Sequence, residues 1–219
     1  MDDFRNAFSA ACFEPSRSPC KVRLAPTPSG FLHVGNALNF VFNALLAKLQ
    51  NGRIVLRIDD MDSERCKPAY LQDIFDTLHW LQIEWDEGPE DLKDFESHWS
   101  QRHRIKQYKS ALHSLASKDL LYACAKSRKE LSLFAPSYPP DLRTQGLHLE
   151  AEGVAWRIMT SDSLQPNDFV VRKKDGMPAY QLTSIVDDDL FKITHIVRGE
   201  DLQQSSDMQR ILSDRKSVV

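Results

Sequence analysis

Residues 21–36, KVRLAPTPSGFLHVGN, carry the side chains with the greatest chemical reach: Arg23, Thr27, Ser29, His33 and Asn36, set among Pro26, Pro28, Gly30 and Gly35. The prolines fix φ and remove backbone donors, so the apolar strand at residues 21–24 cannot run on. Gly30 and Gly35 let the backbone approach a ligand closely. His33 and Asn36 stand at the start of a helix, where free amides and the positive end of the helix favour an anion. The chemistry that suits such a turn is the cradling of a nucleoside triphosphate.

Three further groups could act with it. RIVLRIDDMD, residues 53–62, is a strand with an acidic end, and its Asp59 could hold an ammonium group. Arg23 and Arg198 each carry a guanidinium, a group that matches a carboxylate bidentately and stays charged. The alternative for each arginine is an ion pair with an acid at a strand end, and for Tyr180 a half-buried strand aromatic. Asp187, Asp188 and Asp189 invite a metal reading, against which adjacent turn acids are ordinarily solvated.

These residues must be positioned by alternating strands and helices. After the HVGN string, Leu38, Val41, Phe42, Leu45, Leu46 and Leu49 recur at helical spacing, and Asn51-Gly52 ends that helix. A second strand follows, then Leu71, Ile74, Phe75, Leu78 and Leu81 on one helical face, which makes a β-α-β arrangement of a parallel sheet. A long helix is expected over residues 99–118, with Ile105, Tyr108, Ala111, Leu112 and Leu115 inward. From residue 119 to 175 short segments punctuated by Pro136, Pro139, Pro140 and Pro166 suggest an inserted module. The sheet is expected to resume over residues 179–186 and 193–197, with Asp187, Asp188 and Asp189 in a turn. The organisation is therefore an extension (1–20), a first half (21–118), an insertion (119–175) and a second half (176–219).

The 219 residues, 42% hydrophobic and 27% charged, describe a soluble globular chain, and no apolar run reaches membrane-spanning length. Residues 1–20 hold Asp2, Asp3 and no long apolar stretch, so they do not form a secretory signal, and the expected compartment is the cytoplasm. The four cysteines, Cys12, Cys20, Cys66 and Cys124, make no CxxC pair and are expected as free thiols. A net charge of −3 argues against wholesale nonspecific nucleic-acid binding and leaves room for local basic faces. Candidates are Arg102, Arg104, Lys106 and Lys109; Lys126, Arg128 and Lys129; and Arg172, Lys173 and Lys174, for which solvated helix faces are the alternative.

Taken together, these residues resemble the glutamyl family of class I aminoacyl-tRNA synthetases, whose signature runs Arg-x-Ala-Pro-Ser-Pro-Thr-Gly-x-Leu-His-Ile-Gly. The likeness extends through residues 53–62, residues 71–89 with Trp85-Asp86-Glu87-Gly88-Pro89, and residues 179–202, AYQLTSIVDDDLFKITHIVRGEDL. It implies an α/β fold, a Rossmann-like catalytic domain with a smaller inserted α+β module that grips the acceptor end of tRNA. It implies ATP bound with Mg2+ by Pro26, His33, Gly35, Asn36 and Glu200, His33 and Asn36 serving catalysis. It also implies L-glutamate bound by Arg23, Ala25, Thr27, Asp59, Tyr180, Ser184 and Arg198. Asn36 stands where the signature has a second histidine and Thr27 where it has serine. Asp59 replaces the usual glutamate, a form glutaminyl relatives resemble, which leaves the choice between glutamate and glutamine open.

Within the family, RKKDGMPAYQLTSIVDD (residues 172–188) and the length class resemble the short glutamyl-queuosine tRNA-Asp synthetases. Those enzymes commonly hold zinc by Cys-x-Cys, Tyr and Cys; here Cys124 and Tyr138 remain, but Lys126 and Leu142 replace the other two, so no structural zinc is expected. The Lys-Met-Ser-Lys-Ser-type loop that contacts the leaving pyrophosphate is expected to be missing, Arg215-Lys216-Ser217 being a faint echo of it. The resemblance thus implies an ATP-dependent ligase, monomeric and acting away from membranes, that activates glutamate and passes it to tRNA, on the queuosine base of tRNA-Asp. The alternatives are a noncatalytic or truncated paralogue that binds glutamate, ATP or tRNA without turnover, and a nucleotidyl-transferring relative acting on another small acid.

Overall fold

The computed structural model describes residues 19–134, 140–160 and 168–216. Most of the N-terminal extension, Cys12, Tyr138 and Ser217 lie outside them. Strand β1 (Lys21–Leu24) pairs in parallel with β2 (Arg53–Leu56), and helix α1 (Val34–Leu49) is the crossover that parallel pairing requires. The ladder continues on both sides: Glu87 bridges Val55 in parallel, and the Thr194 and His195 amides donate to the Lys21 carbonyl. Helix α2 (Pro68–Trp80) opens on a proline at its first position, where the missing N–H would have had no partner. Its Leu71, Ile74, Phe75 and Leu78 close over Leu24, Leu56 and Ile58 of the sheet together with Phe40 of α1.

The chain then passes through a π turn (Phe95–Trp99) and a 3-10 turn (Gln101–Arg104) into α3 (Ile105–Ala116). Strand β3 (Leu121–Cys124), the short helix α4 (Arg128–Ser132) and strands β4 (Ala155–Ile158) and β5 (Phe169–Arg172) follow; β3, β4 and β5 form an antiparallel sheet. Its Trp156, Ile158, Phe169 and Val171 pack on Tyr108 and Leu112 of α3, on Leu182 and Val186 of α5 (Tyr180–Leu190), and on Leu212 of α6 (Gln203–Lys216). The second sheet is thereby seated on helices flanking the first.

Four expectations change. Residues 180–190 are a helix, not a strand followed by an acidic turn. Their β-branched content suggests a strand, but Leu182 and Val186 face the antiparallel sheet while Thr183, Ser184, Asp187 and Asp188 are buried too. Both sets recur four apart, so a helix can bury an apolar stripe and a polar one at once. Asp187 and Asp188 sit in its last turn, where the helix dipole disfavours acids; arginines from other elements compensate.

Helix α1 packs only Val41 and Leu46 of its apolar stripe against the core. Leu38, Phe42, Leu45 and Leu49 are exposed, while Phe40, Asn43 and Ala47 are buried. Asn43 is accommodated because it donates to the Asn39 carbonyl within the helix and, more distantly, to the Val197 carbonyl. The long helix at 99–118 is interrupted at Ser100, whose extended ψ of 139 breaks the run. Residues 193–197 reach β1 through the two amides named above and form no regular strand.

At Gly88, φ is +136, and a Cβ there would stand 2.4 Å from the Leu56 carbonyl oxygen, backbone that cannot yield. Gly88→Ala is therefore expected to cost about 1–3 kcal/mol through backbone strain alone, more with the clash. Urea unfolding followed by circular dichroism checks this, and an unchanged midpoint would contradict it.

Candidate functional site

A cleft of about 1180 Å³ lies between the two sheets. Its floor is the loop after β1, with Ala25, Pro26, Thr27, His33 and Asn36, and the end of β2 at Asp59. Tyr180, Gln181 and Thr183 of α5 form one wall. Lys126, Arg157, Lys173 and Lys174 of the antiparallel module line it as well. The loop is tied to β2 by the Asp59 amide donating to Pro26 at 2.9 Å.

At the helix start His33 and Asn36 act on each other. The Gly35 amide donates to His33 Nδ1 at 3.1 Å, and the His33 amide donates to Asn36 Oδ1 at 3.0 Å, a reciprocal capping box. The Asn36 and Ala37 amides are taken by the His33 carbonyl. Of the first-turn amides expected to be free for an anion, those of Gly35, Asn36 and Ala37 are thus already bonded. The cap supplies different donors in their place. With Nδ1 accepting, the neutral imidazole carries its proton on Nε2, and with Oδ1 accepting, the Asn36 amide keeps its Nδ2 hydrogens for a ligand. A Cβ on Gly35 would lie 2.8 Å from the His33 ring, so glycine is what allows the ring to fold over the helix end.

Behind the floor lies a network of buried charge. Arg57 is 3% exposed and makes five bonds: Nε and Nη2 to Asp59 at 2.7 and 3.1 Å, Nη1 to Asp188 Oδ1 at 2.6 Å, and Nη1 and Nη2 to the Ser184 carbonyl and Oγ. Burial disfavours its charge, but Asp59 and Asp188 hold it charged above the ordinary arginine range. Burial likewise pushes the Asp59 carboxyl up and Arg57 opposes it; two N–H groups facing both oxygens are the geometry of a carboxylate, so Asp59 is an anion here.

A second group is joined to the first through Gln101, which donates to Asp187 at 2.9 Å and approaches Asp59 at 3.4 Å. Arg104 Nε and Tyr108 Oη donate to Asp187 at 2.8 Å each. Burial, reinforced by Asp187, raises the Tyr108 phenol well above its ordinary value. Asp60 accepts from the Ser100 hydroxyl and the Gln101 amide. This is why the helix expected from residue 99 is broken: Ser100 and Gln101 turn back to satisfy an acid in the segment after β2.

The expected site residues fall into three groups. Ala25, Pro26, Thr27, His33, Asn36, Asp59 and Tyr180 line the cleft. Arg23, Ser184 and Arg198 do not: Ser184 is fully buried against Arg57, and Arg23 is 4% exposed beside Asp188. Arg198 is partly buried, yet its Nε and Nη1 are covered and unpartnered, and it lies close enough to Arg23 to disfavour that guanidinium's charge. Gly35 and Glu200 are not on the cleft wall, Glu200 being exposed at the start of a short 3-10 turn, Glu200–Leu202. Arg57 and Gln101 carry the site without being singled out by spacing, an arginine two residues before an acid at a strand end being the available signal; Asp188, grouped in the sequence with an acidic turn and a metal reading, instead binds Arg57 and faces Arg23.

Of the basic clusters, Arg104 is buried and Arg172 lies over the Trp156 ring at 4.8 Å, while Lys126, Lys173 and Lys174 face the cleft. Cys124 and Leu142 pack with Tyr122 and Leu131 in a small apolar cluster, with Met159 against it. Cys20, Cys66 and Cys124 are free thiols. Among the described residues no helix is long and apolar enough to cross a membrane.

Comparison with known proteins assigns the family. The model for "tRNA synthetases class I (E and Q), catalytic domain" matches residues 19–134 and 145–218. A glutamate–tRNA ligase of Dehalococcoides mccartyi (strain ATCC BAA-2100) is 32% identical over 207 residues, 83% of this chain and 42% of that protein. One of Synechococcus sp. (strain CC9605) is 36% identical over 219 residues, 83% of this chain and 44% of that protein. The crystal structure of glutamate-tRNA synthetase from Elizabethkingia anophelis superposes with a TM-score of 0.76 at 26% identity, covering 91% of this chain and 48% of that one. The chain belongs to the class I glutamyl and glutaminyl tRNA synthetase family and has its α/β, Rossmann-like catalytic fold. It spans less than half the length of these relatives.

Three variants test the site. Asn36→Asp keeps an oxygen for the His33 amide but loses the outward donor and sets a negative charge there, so nucleotide binding is expected to weaken with little change in melting; Asn36→Ala is expected to lose both, with about 1 kcal/mol of stability. Calorimetry with a nonhydrolysable ATP analogue, beside thermal melts, separates the two roles. Asp187→Asn leaves Arg104 buried without its counter-charge and is expected to cost about 3–5 kcal/mol in urea unfolding.

Proposed function

We propose that this member of the class I family activates L-glutamate with ATP and Mg2+ and passes it to tRNA, with the queuosine base of tRNA-Asp as acceptor. The observation that carries the reading is Arg198, whose covered, unpartnered nitrogens adjoin Arg23: two guanidinium groups of this kind suit the side-chain carboxylate of glutamate. In the reaction the α-carboxylate oxygen attacks the α-phosphorus, the bond from that phosphorus to the bridging oxygen breaks, and pyrophosphate leaves. Both partners are anions, so catalysis rests on positioning and on donors aimed at the phosphates. His33 Nε2–H and Asn36 Nδ2–H2 are those donors. Mg2+ arrives with the nucleotide, with phosphate oxygens among its ligands.

Tyr180, Ala25 and Thr27 form the wall against which the amino acid packs, and Asp59 lies beside its ammonium group. Lys126, Lys173 and Lys174, which also line the cleft, are placed to meet the phosphates of an incoming tRNA. The likeness of residues 172–188 to the short glutamyl-queuosine enzymes supports the choice of acceptor.

Pyrophosphate exchange tests this reading. Glutamate-dependent exchange without tRNA is the expected result; exchange only with tRNA would favour ordinary aminoacylation, and none under any condition, with ligand binding intact, would favour a noncatalytic paralogue. Arg198→Ala is expected to lower kcat/KM for glutamate at least about tenfold, as loss of one charge-assisted pair does, and to erase the preference over glutamine. A variant that still prefers glutamate would refute the carboxylate clamp.

A further inference from the structure

Half of the buried side-chain polar atoms found without a hydrogen-bond partner among the described residues gather in one place. These four, Arg23 Nε, Asp188 Oδ2, and Arg198 Nε and Nη1, belong to three residues of one neighbourhood. Asp188 is its pivot. Its Oδ1 receives Arg57 Nη1 at 2.6 Å and is approached by Arg23 Nε at 2.8 Å, the second contact lacking hydrogen-bond alignment. One oxygen thus faces two guanidinium groups from different strands, Arg23 on β1 and Arg57 just beyond β2, while its carrier sits on α5, the helix that also presents Tyr180 to the cleft.

We infer that Asp188 is a positioning residue for amino-acid recognition: it holds Arg23 in place by charge and locks Arg57 against Asp59, so that the guanidinium groups and the acid keep their spacing without Asp188 itself lining the cleft. The inference rests on the glutamate reading above and deepens it. Three features support it. The Arg23 contact is ionic and unaligned, which fixes a position while leaving N–H groups uncommitted. Arg23 and Arg198 repel each other, so a nearby fixed anion is needed to keep them together when no ligand is bound. And Asp188 is nearly buried, so its charge acts through a weakly screening medium.

A structural role alone would change stability; a positioning role must also change which amino acid is preferred. Isothermal titration of L-glutamate, L-glutamine and L-aspartate, with melting curves for every variant, distinguishes them. Asp188→Asn is expected to weaken glutamate at least about tenfold, as expected for a lost charge-assisted contact, and to narrow its margin over glutamine. Asp188→Glu, which restores the charge, is expected to recover part of both. Should Asp188→Asn fail to fold, Arg57→Lys serves: it retains the cation, cannot bond Asp59 and Asp188 together as the guanidinium does, and is expected to show the same loss of margin. A wild-type chain that binds glutamate beside an Asp188→Asn or Arg57→Lys chain that is folded and equally selective would overturn this inference alone. A wild-type chain that binds none of the three amino acids would overturn the glutamate reading and this inference with it.

Discussion

Arg57 is a charge placed where water does not reach, and the fold is arranged so that it never needs water. Each of its three nitrogens faces an oxygen of Asp59, Asp188 or Ser184, two of them facing more than one. Burying a lone guanidinium would cost several kcal/mol even after relaxation, so the acids and Ser184 must lie close to where they are. That requirement joins two parts of the chain more than a hundred residues apart: the end of β2 and the middle of α5. The register of α5 against the parallel sheet, and with it the place of Tyr180 on the cleft wall, follows from satisfying one cation.

The same constraint explains features that are otherwise unfavourable. Asp187 and Asp188 lie in the last turn of a helix, against its dipole, and both are compensated by arginines arriving from other elements. The interrupted helix near residue 100 loses regular hydrogen bonds, and Ser100 and Gln101 use the released groups to bind Asp60 and to bridge Asp187. The front of the site follows the opposite logic. At the cap of α1 only one side of each group is spent: His33 Nδ1 and Asn36 Oδ1 are bonded inward, and their donors are left over. An interior fixed by the fully bonded Arg57 holds a partly unsatisfied surface at fixed geometry, which is what preorganised electrostatics requires.

Much of this was legible in the chain, and what was not shares a cause. The parallel strands, the α1 crossover and the buried face of α2 follow from local signals: prolines after β1, Asn51-Gly52 after α1, Pro68 at the start of α2, and apolar residues at helical spacing. Residues 180–190 were misjudged because β-branched content and an acidic triplet are local cues for strand and turn, whereas the partners that make these acids buried, Arg23, Arg57 and Arg104, are remote in sequence. The α1 stripe was misjudged for the complementary reason. Periodicity shows that one face is apolar without showing which face meets the sheet, and Asn43, paired within its own helix, is buried where Leu38 and Leu45 are not.

The charge balance behind the cleft floor bears on the proposed substrate choice. Around Arg23 stand two further guanidinium groups, Arg57 and Arg198, and two carboxylates, Asp59 and Asp188, three cations to two anions in all. Asp187 is matched by Arg104, and Asp60 by neutral donors with Arg102 at 3.7 Å, so neither alters that count. One positive charge is left in excess. A glutamate zwitterion brings a net charge of about −1 at neutral pH, because its side-chain carboxyl ionises near pH 4.3, whereas glutamine brings none. On the proposed function, an unmatched buried charge is costly, so an amino acid that neutralises the excess would be favoured over a neutral one of the same size. Asp59, shorter than the glutamate it replaces, keeps its charge and so preserves that balance.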